Sequence, residues 1–193
     1  METTDSDKHW YVVLTRTNSE RKVRDYFQLQ EVDTFLPVQN RVIEREGKRI
    51  ERERLLLPRM VFVHISRQEM AAVRSTLNVY DFLRDRSTGA PTCIPDAQMA
   101  DFRYMLDYSQ DQVILTGESI PKGTRVVVAK GDLQGLRGEL VRYNNKYHIL
   151  VRIDMFGSAM VTIPASYVRK ENKKYICKEN TIICNGDNNI CNG

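Results

Sequence analysis

Residues 121–170 contain four short β-rich runs separated by turn signals, and their spacing restricts the fold more than any other feature of the sequence. The runs occupy positions 126–128, 136–141, 148–151 and 160–163. Gly131, Gly135 and Gly138 lie in or beside the segment that joins the first two runs. Glycine allows positive φ angles and close backbone approach, which tight connections between short strands require. This pattern predicts a small β-barrel over residues 121–170.

The residues before this segment mix strand and helix patterns. Residues 10–15 are β-branched and aromatic, which predicts a buried strand. Apolar residues at helical spacing predict three helices, near residues 19–30, from Met70 to Leu77 and from Pro95 onward. Because strands and helices alternate in this way, residues 9–107 are predicted to form an α/β sandwich domain.

Two further segments lack hydrophobic periodicity. Residues 108–120 are predicted to be a linker between the two domains, and residues 171–193 a disordered tail. The overall expectation is an α+β protein with two domains.

Residues 41–54 crowd charges of both signs around Gly47. Six basic and four acidic side chains cannot be buried together there, so we expect a solvated β-hairpin or a flexible arm. The next apolar run contains Pro58, which a central strand does not carry, so that strand is expected to begin at or after Arg59.

Composition excludes several classes of protein. The net charge of +4 permits contact with nucleic acid without demanding it. No apolar run is long enough to cross a bilayer and the first residues are polar and acidic, so we expect a cytoplasmic protein without a membrane contact.

Neither a cofactor nor a catalytic site is indicated. The three histidines are scattered, and neither a phosphate loop nor a dinucleotide fingerprint is present, so we expect no enzymatic activity. Three of the four cysteines, Cys177, Cys184 and Cys191, recur every seven residues. This spacing suits a zinc site poorly, so no metal is expected.

Several motifs resemble one protein family in the order in which they occur. Residues 121–140 resemble a KOW motif, and residues 155–157 resemble a later turn of the same barrel. Upstream, residues 10–13, 57–63 and 73–76 resemble successive landmarks of the NusG N-terminal (NGN) domain. The resemblance covers about residues 9–170. It implies an NGN-type α/β sandwich followed by a small SH3-like KOW β-barrel.

The resemblance implies a transcription elongation factor that binds the clamp helices of the largest RNA polymerase subunit and recruits other factors through its KOW domain. The implied polymerase-binding residues are Tyr11, Leu57, Pro58, Met60 and Phe62. The alternative for Tyr11 and Phe62 is a purely structural place in the core. Only one parity of residues 60–63 can face a cavity, since strand side chains alternate.

The resemblance also implies contacts with the non-template DNA strand of the transcription bubble. The candidates are Arg16, Arg21, Arg24, Arg74, Ser75 and Thr76, for which the alternative is a solvated helix face or a helix terminus. In the KOW domain, Met155 and Phe156 match positions that bind a termination factor or a ribosomal protein. Ser158 replaces a basic residue common nearby, and Phe156 could instead cap the barrel core.

One departure points to a subgroup of the family. The usual motif of an aromatic residue followed by Pro-Gly-Tyr is replaced by Leu57-Pro58-Arg59-Met60. This run resembles the specialised UpxY (RfaH-like) antiterminators. A different function stays open, namely a ribosome- or RNA-associated KOW protein that binds structured RNA.

Overall fold

The computed structural model describes residues 8–45, 48–153 and 156–171. Met155 and the tail from residue 172, with Cys177, Cys184 and Cys191, lie outside these residues. No helix in the described part of the chain is long and apolar enough to cross a membrane. The described residues contain a few helices and many strands, so the predicted mixture of helix and sheet is confirmed.

The N-terminal elements alternate between strands and helices. They are β1 (His9–Thr15), α1 (Glu20–Leu29), β2 (Asp33–Phe35), β3 (Val38–Arg45), β4 (Lys48–Leu55), β5 (Met60–Ile65), α2 (Met70–Arg74), β6 (Val79–Phe82), β7 (Cys93–Ile94) and α3 (Asp96–Tyr108). The predicted first and third helices are confirmed, and β5 begins directly after Arg59 as expected.

Four strands form the N-terminal sheet in the order β2-β5-β1-β6, and β7 also pairs with β1. All of these pairs are antiparallel, with Val12 opposite Phe62 at the centre. Since the side chains of a strand alternate between faces, the sheet carries two apolar layers. Val23 and Phe27 of α1 pack on one layer, and Phe102 of α3 packs on the other.

The second predicted helix is shorter than expected. It ends at Arg74, and Leu77, predicted on its apolar face, lies beyond it with 80% of its surface exposed. The hydroxyls of Ser75 and Thr76 both donate to the Ala72 carbonyl, at 2.9 and 3.2 Å. Such local hydrogen bonds offer the backbone an alternative to continuing the helix, which explains the wrong prediction.

β3 and β4 form a two-stranded antiparallel hairpin that pairs with neither larger sheet. Their register runs without a shift from the pair Val38–Leu55 to the pair Arg45–Lys48. The β-hairpin predicted for residues 41–54 is therefore confirmed over the described residues, of which Lys48, Arg52 and Arg54 are exposed.

The C-terminal sheet has six antiparallel strands in the order β13-β9-β10-β11-β12-β8. Their bounds are β8 (Ile114–Thr116), β9 (Thr124–Val128), β10 (Arg137–Tyr143), β11 (Lys146–Ile153), β12 (Gly157–Thr162) and β13 (Val168–Lys170). A closed barrel requires its first and last strands to pair. Here β13 and β8 have three residues each and pair only inward, so the described pairings do not close the predicted barrel.

Two glycines make the connection between β9 and β10. Gly131 and Gly135 have φ angles of 85° and 97°, a region that residues with a Cβ rarely adopt. The amide of Gly135 donates to the Val128 carbonyl at 2.9 Å and closes the turn. The glycine pattern of this segment thus has the backbone role that the sequence predicted.

The two sheets share one apolar core. A single cluster joins Trp10, Val12 and Phe62 of the N-terminal sheet, through α3, to Val126 and Ile149 of the C-terminal sheet. β8 lies within the segment predicted to be a linker and pairs with β12. Only part of residues 108–120 is therefore irregular, and the two sheets pack against each other through α3.

Candidate functional site

Three of the residues implied in polymerase binding lie on one face of the N-terminal sheet. Phe62 is fully buried on β5, while Leu57 and Met60 are partly buried against the same apolar cluster. The Phe62 ring packs on Phe35 and Phe102, with centroid distances of 5.9 and 6.2 Å. Leu57, Met60 and Phe62 thus belong to one apolar cluster, and we call these three side chains the β5 face.

Tyr11 lies on the opposite face of the sheet. Its ring packs edge-on against Phe82 at 6.2 Å, within the cluster that α1 covers. Tyr11 and Phe62 have opposite parity because β1 and β5 pair with Val12 opposite Phe62. Pro58 is exposed in the loop that precedes β5. The structure therefore brings Leu57, Met60 and Phe62 together and separates Tyr11 from them.

A buried carboxylate holds the loop beside the β5 face. Arg59 adopts a left-handed backbone with φ of 64°, and its amide donates to Glu20 Oε1 at 2.7 Å. Glu20 is only 6% exposed at the start of α1, and the Arg59 carbonyl accepts from the Thr15 amide at 2.9 Å. Sequence reasoning missed Glu20, because an acidic residue in the first turn of a helix is common and reveals no distant partner.

The C-terminal part of the chain contacts the β5 face through Phe156. The Phe156 ring lies 5.6 Å from the Phe62 ring, the shortest of the three aromatic contacts that Phe62 makes in the described residues. Tyr104 on α3 donates its hydroxyl to the Gln134 carbonyl at 2.8 Å. Phe156, which lies in the turn that the sequence predicted, is therefore partly buried against the N-terminal sheet.

Charged groups of α3 and of the C-terminal part also lie close to one another. Burial raises the pKa of the Asp101 carboxyl on α3, and the neighbouring Glu171 raises it further while Arg137 opposes the shift. Arg137 and Glu171 form a loose ion pair, with 3.9 Å between Nε and Oε1. Both of these residues belong to the C-terminal part of the chain, so the contact between the parts combines an apolar centre with a charged margin.

The residues implied in DNA binding divide into two groups. In the first, the Arg16 amide donates to the Asn78 carbonyl at 2.9 Å, which places the loop after β1 beside the turn after α2. Arg16, Arg74 and Ser75 are exposed around this junction, and Thr76 is partly buried. Arg16 makes no ion pair with any residue that the structure describes.

Arg74 has an acidic partner in this first group. Its Nε lies 3.4 Å from Asp81 Oδ1, and Arg84 binds the same carboxylate at 3.3 Å. Hydrogen bonding to Arg84 is the main reason that the pKa of Asp81 lies below its usual value. The charge of two arginines is thus shared by one carboxylate, which leaves a net positive surface.

The second group is less available for binding. Arg21 on α1 forms an ion pair and hydrogen bond with Glu53 of the β3–β4 hairpin. Arg24 pairs with its neighbour Asp25 at 2.8 Å. Both arginines lie on α1, and each is paired with a carboxylate.

Two exposed apolar side chains beside the first group were not predicted as site residues. Leu77 and Tyr80 are 80% and 72% exposed, and they flank Asn78, whose φ is 70°. An exposed aromatic ring near arginines is typical of surfaces that stack unpaired bases. The alternating strand pattern around Tyr80 could have suggested its exposure, but Leu77 was obscured by its helical spacing from Val73.

Comparisons with known proteins give one family match and several similar solved structures. A family model described as "Transcription termination factor nusG" matches residues 8–103. Among solved structures, one described as "Domain interaction in Thermotoga maritima NusG" is 20% identical, with a TM-score of 0.47, covering 87% of this chain and 99% of that one. Another, "Crystal Structure of MjSpt4:Spt5 complex conformation A", is 14% identical, with a TM-score of 0.28, covering 86% and 99%. No curated protein matches the chain.

Proposed function

We propose, from the premise that residues 8–103 form a NusG-family domain, that this protein is a specialised transcription elongation and antitermination factor. Its N-terminal domain binds the clamp helices of RNA polymerase through the β5 face. Its C-terminal sheet acts as a KOW domain that recruits a further factor, such as a ribosomal protein or a termination factor. Both steps are binding events and require no bond chemistry.

The observation that carries this proposal is the apolar β5 face and its contact with Phe156. Leu57 and Met60 are only partly buried, and the Phe62 ring contacts one aromatic ring of the C-terminal part, Phe156. Few apolar anchors in such a pocket can dominate a protein interface, at about 2–4 kcal/mol each. A partner that replaced Phe156 would find these anchors already arranged.

The contact between Phe156 and Phe62 makes polymerase binding and factor recruitment interdependent. While Phe156 packs on Phe62, neither of these two rings is free to contact a partner. Binding to polymerase therefore requires the sheets to separate, and the apparent affinity is reduced by the fraction of open molecules. Opening exposes both surfaces at once, so polymerase binding, which raises the open fraction, favours recruitment.

The arginines around the junction of Arg16 and Asn78 support a contact with unpaired DNA. Arg16 and Arg74 supply charge, and the exposed Tyr80 supplies a ring on which a base can stack. We propose that this junction holds the non-template strand, with Ser75 and Thr76 at its edge. Arg21 and Arg24 contribute less, because Glu53 and Asp25 neutralise them.

The left-handed Arg59 supports the specialised subgroup. The usual family motif has glycine there, and a non-glycine residue with φ of 64° is costly unless something holds it. Glu20 holds it here through the Arg59 amide. A β5 face without the usual aromatic and glycine residues favours a specialised factor over a general one.

Co-purification with RNA polymerase tests the proposal. Met60→Asp places a charge on the β5 face and is expected to abolish binding. Leu29→Asp is the matched control, because Leu29 is 80% exposed on α1 and away from this face. If Met60→Asp binds polymerase as the wild type does, the β5 face is not the binding surface. Tight, salt-sensitive binding of structured RNA without polymerase would favour an RNA-associated KOW protein instead.

A further inference from the structure

The β3–β4 hairpin separates its charges between two faces. Residues 41–54 contain six basic and four acidic side chains, so the charges of the whole segment largely cancel. The register, however, pairs Lys48 with Arg45, Ile50 with Ile43, Arg52 with Arg41 and Arg54 with Gln39. Directly paired residues of antiparallel strands share a face. This face, which we call the basic face, therefore holds five cationic positions and no acidic one.

The other face of the hairpin has the opposite character. Its register positions are Asn40–Glu53, Val42–Glu51 and Glu44–Arg49, with Arg49 as the single basic residue. Glu53 on this face pairs with Arg21 of α1 and so ties the hairpin to the N-terminal domain. The acidic face thus holds an internal contact, which leaves the basic face for an external one.

Side chains on the outer part of the basic face are exposed. Lys48 and Arg52 are exposed, and Ile50 between them is 37% exposed. Neither Lys48 nor Arg52 makes an ion pair with a residue that the structure describes. Uncompensated cations aligned on one side of a ribbon are complementary to a regular row of negative charges.

Gln39 and Arg54 lie at the end of the hairpin that meets residues 107–113. Gln39 donates from Nε2 to the Asp111 carbonyl at 3.1 Å and accepts from the Val113 amide at 3.2 Å. Arg54, opposite Gln39, lines a groove that Asp107 also lines. Arg54 is nevertheless exposed, so the exposed part of the basic face is carried by Lys48, Ile50, Arg52 and Arg54.

We propose that the basic face of the β3–β4 hairpin binds the phosphate backbone of duplex DNA, with the ribbon lying along the major groove. A two-stranded ribbon is one of the elements that fit this groove, which is about 12 Å wide in B-form DNA. Strands of eight residues extend about 27 Å, long enough to follow several base pairs. The basic positions would contact phosphates on the groove walls.

The shape of the ribbon favours DNA over duplex RNA. The major groove of A-form RNA is deep and narrow and does not admit side chains for readout. This inference goes beyond the proposed function, because it concerns the chain alone and needs no polymerase. It also differs from the junction near Arg16, whose exposed Tyr80 suits unpaired bases rather than a duplex.

Fluorescence anisotropy of the full chain with a labelled 20-base-pair DNA duplex tests the inference, with salt varied between about 50 and 200 mM. The test variants are Arg52→Gln and the double variant Lys48→Gln with Arg52→Gln. Arg49→Gln is the matched control, since it removes one charge from the acidic face of the same strand. Arg52→Lys keeps the charge and is expected to bind as the wild type does.

The double variant is expected to weaken binding at least tenfold at the lowest salt and to reduce the slope of log K against log salt by about 2, since each phosphate contact contributes about 0.9. Arg49→Gln should change the affinity less than twofold, and an RNA duplex of the same sequence should bind more weakly than DNA. If Arg49→Gln and Arg52→Gln lose the same amount of DNA affinity, only the net charge of the protein matters, and the inference is overturned. Equal or tighter binding of the RNA duplex would overturn the proposed fit to the major groove.

Discussion

The rings of Phe62 and Phe156 lie 5.6 Å apart, although 94 positions separate them in the chain. Phe62 lies on β5 of the N-terminal sheet, and Phe156 directly precedes β12 of the C-terminal sheet. An aromatic pair of this kind contributes about 0.5–1.5 kcal/mol beyond its area. The same contact joins the two surfaces on which the proposed function depends.

Tyr104→Phe should loosen the contact between the sheets without changing either sheet. It removes the hydrogen bond from Tyr104 to the Gln134 carbonyl, a loss of about 1 kcal/mol that raises the open-to-closed ratio about fivefold. Hydrogen exchange of the amides of residues 131–136 is expected to accelerate by the same factor.

Tyr108→Phe is the control for that measurement. The Tyr108 ring packs on Tyr104 at 4.5 Å, but its hydroxyl makes no hydrogen bond among the described residues. Equal acceleration in both variants would show that the Tyr104 hydroxyl does not hold the sheets together.

Arg59→Gly should stabilise the protein by about 0.5–1 kcal/mol, because glycine adopts the φ of 64° without a Cβ clash. The Glu20 contact survives, since it uses the backbone amide. The side-chain bond from Arg59 Nε to the Thr15 carbonyl is lost, but at 3.4 Å it is long. Thermal or urea unfolding measures the difference. Arg59→Ala keeps the Cβ, so glycine and alanine variants of equal stability would show that the backbone is not strained.

Gly138→Ala should destabilise the C-terminal sheet by about 1–3 kcal/mol. A Cβ at this position would meet the Leu150 carbonyl oxygen at 2.7 Å and a side-chain carbon of Ile149 at 2.8 Å. Gly117 provides the control, because a Cβ there meets nothing within 4 Å and its φ is not positive. Gly117→Ala is expected to be neutral or slightly stabilising in the same unfolding experiment. Equal effects of the two substitutions would contradict the close approach of β10 and β11.

Glu139 should make the C-terminal sheet sensitive to acid. Hydrogen bonds from Arg152 are the main reason that the pKa of this carboxyl lies below 4.5, and the Gly123 amide also donates to it. Because the folded pKa is lowered, the carboxylate contributes stability above about pH 4.5, and this contribution is lost as the pH falls through the folded pKa.

Glu139→Gln is therefore expected to cost about 1–2 kcal/mol at pH 7 and to flatten the dependence of stability on pH below 4.5. Glu118→Gln, at an exposed position of the same part of the chain, should leave both unchanged. The free energy of unfolding is measured at several values between pH 3 and pH 7. If Glu139→Gln keeps the wild-type dependence of stability on pH, another group is responsible for the acid sensitivity.

Local patterns in the sequence were sufficient for most elements of the fold. The helical spacing of Val23 and Phe27 and the proline before Asp96 predicted α1 and α3, since both signals arise within one or two turns. The prediction for Leu77 was wrong because spacing alone does not reveal that Ser75 and Thr76 end α2 by bonding to a carbonyl.

The candidate site was less accessible to sequence reasoning. The alternation of side chains along β5 predicts that Val61 and Val63 face away from Phe62. The placement of Tyr11 on the opposite face of the sheet, however, depends on the register between β1 and β5, which only the fold determines. The Glu20–Arg59 bond and the Phe62–Phe156 contact join residues far apart in the chain, and neither has a local signal. The charge separation of the hairpin follows once Arg45 is known to pair with Lys48.

The affinity of RNA polymerase for Phe156→Ala, compared with the wild type, tests the central claim most directly. If the C-terminal sheet covers the β5 face, removing the Phe156 ring increases the open fraction, and the variant binds about threefold to tenfold more tightly. Tyr104→Phe should act in the same direction from the other side of the contact. Unchanged or weaker binding of Phe156→Ala, with its fold intact by circular dichroism, would contradict the account.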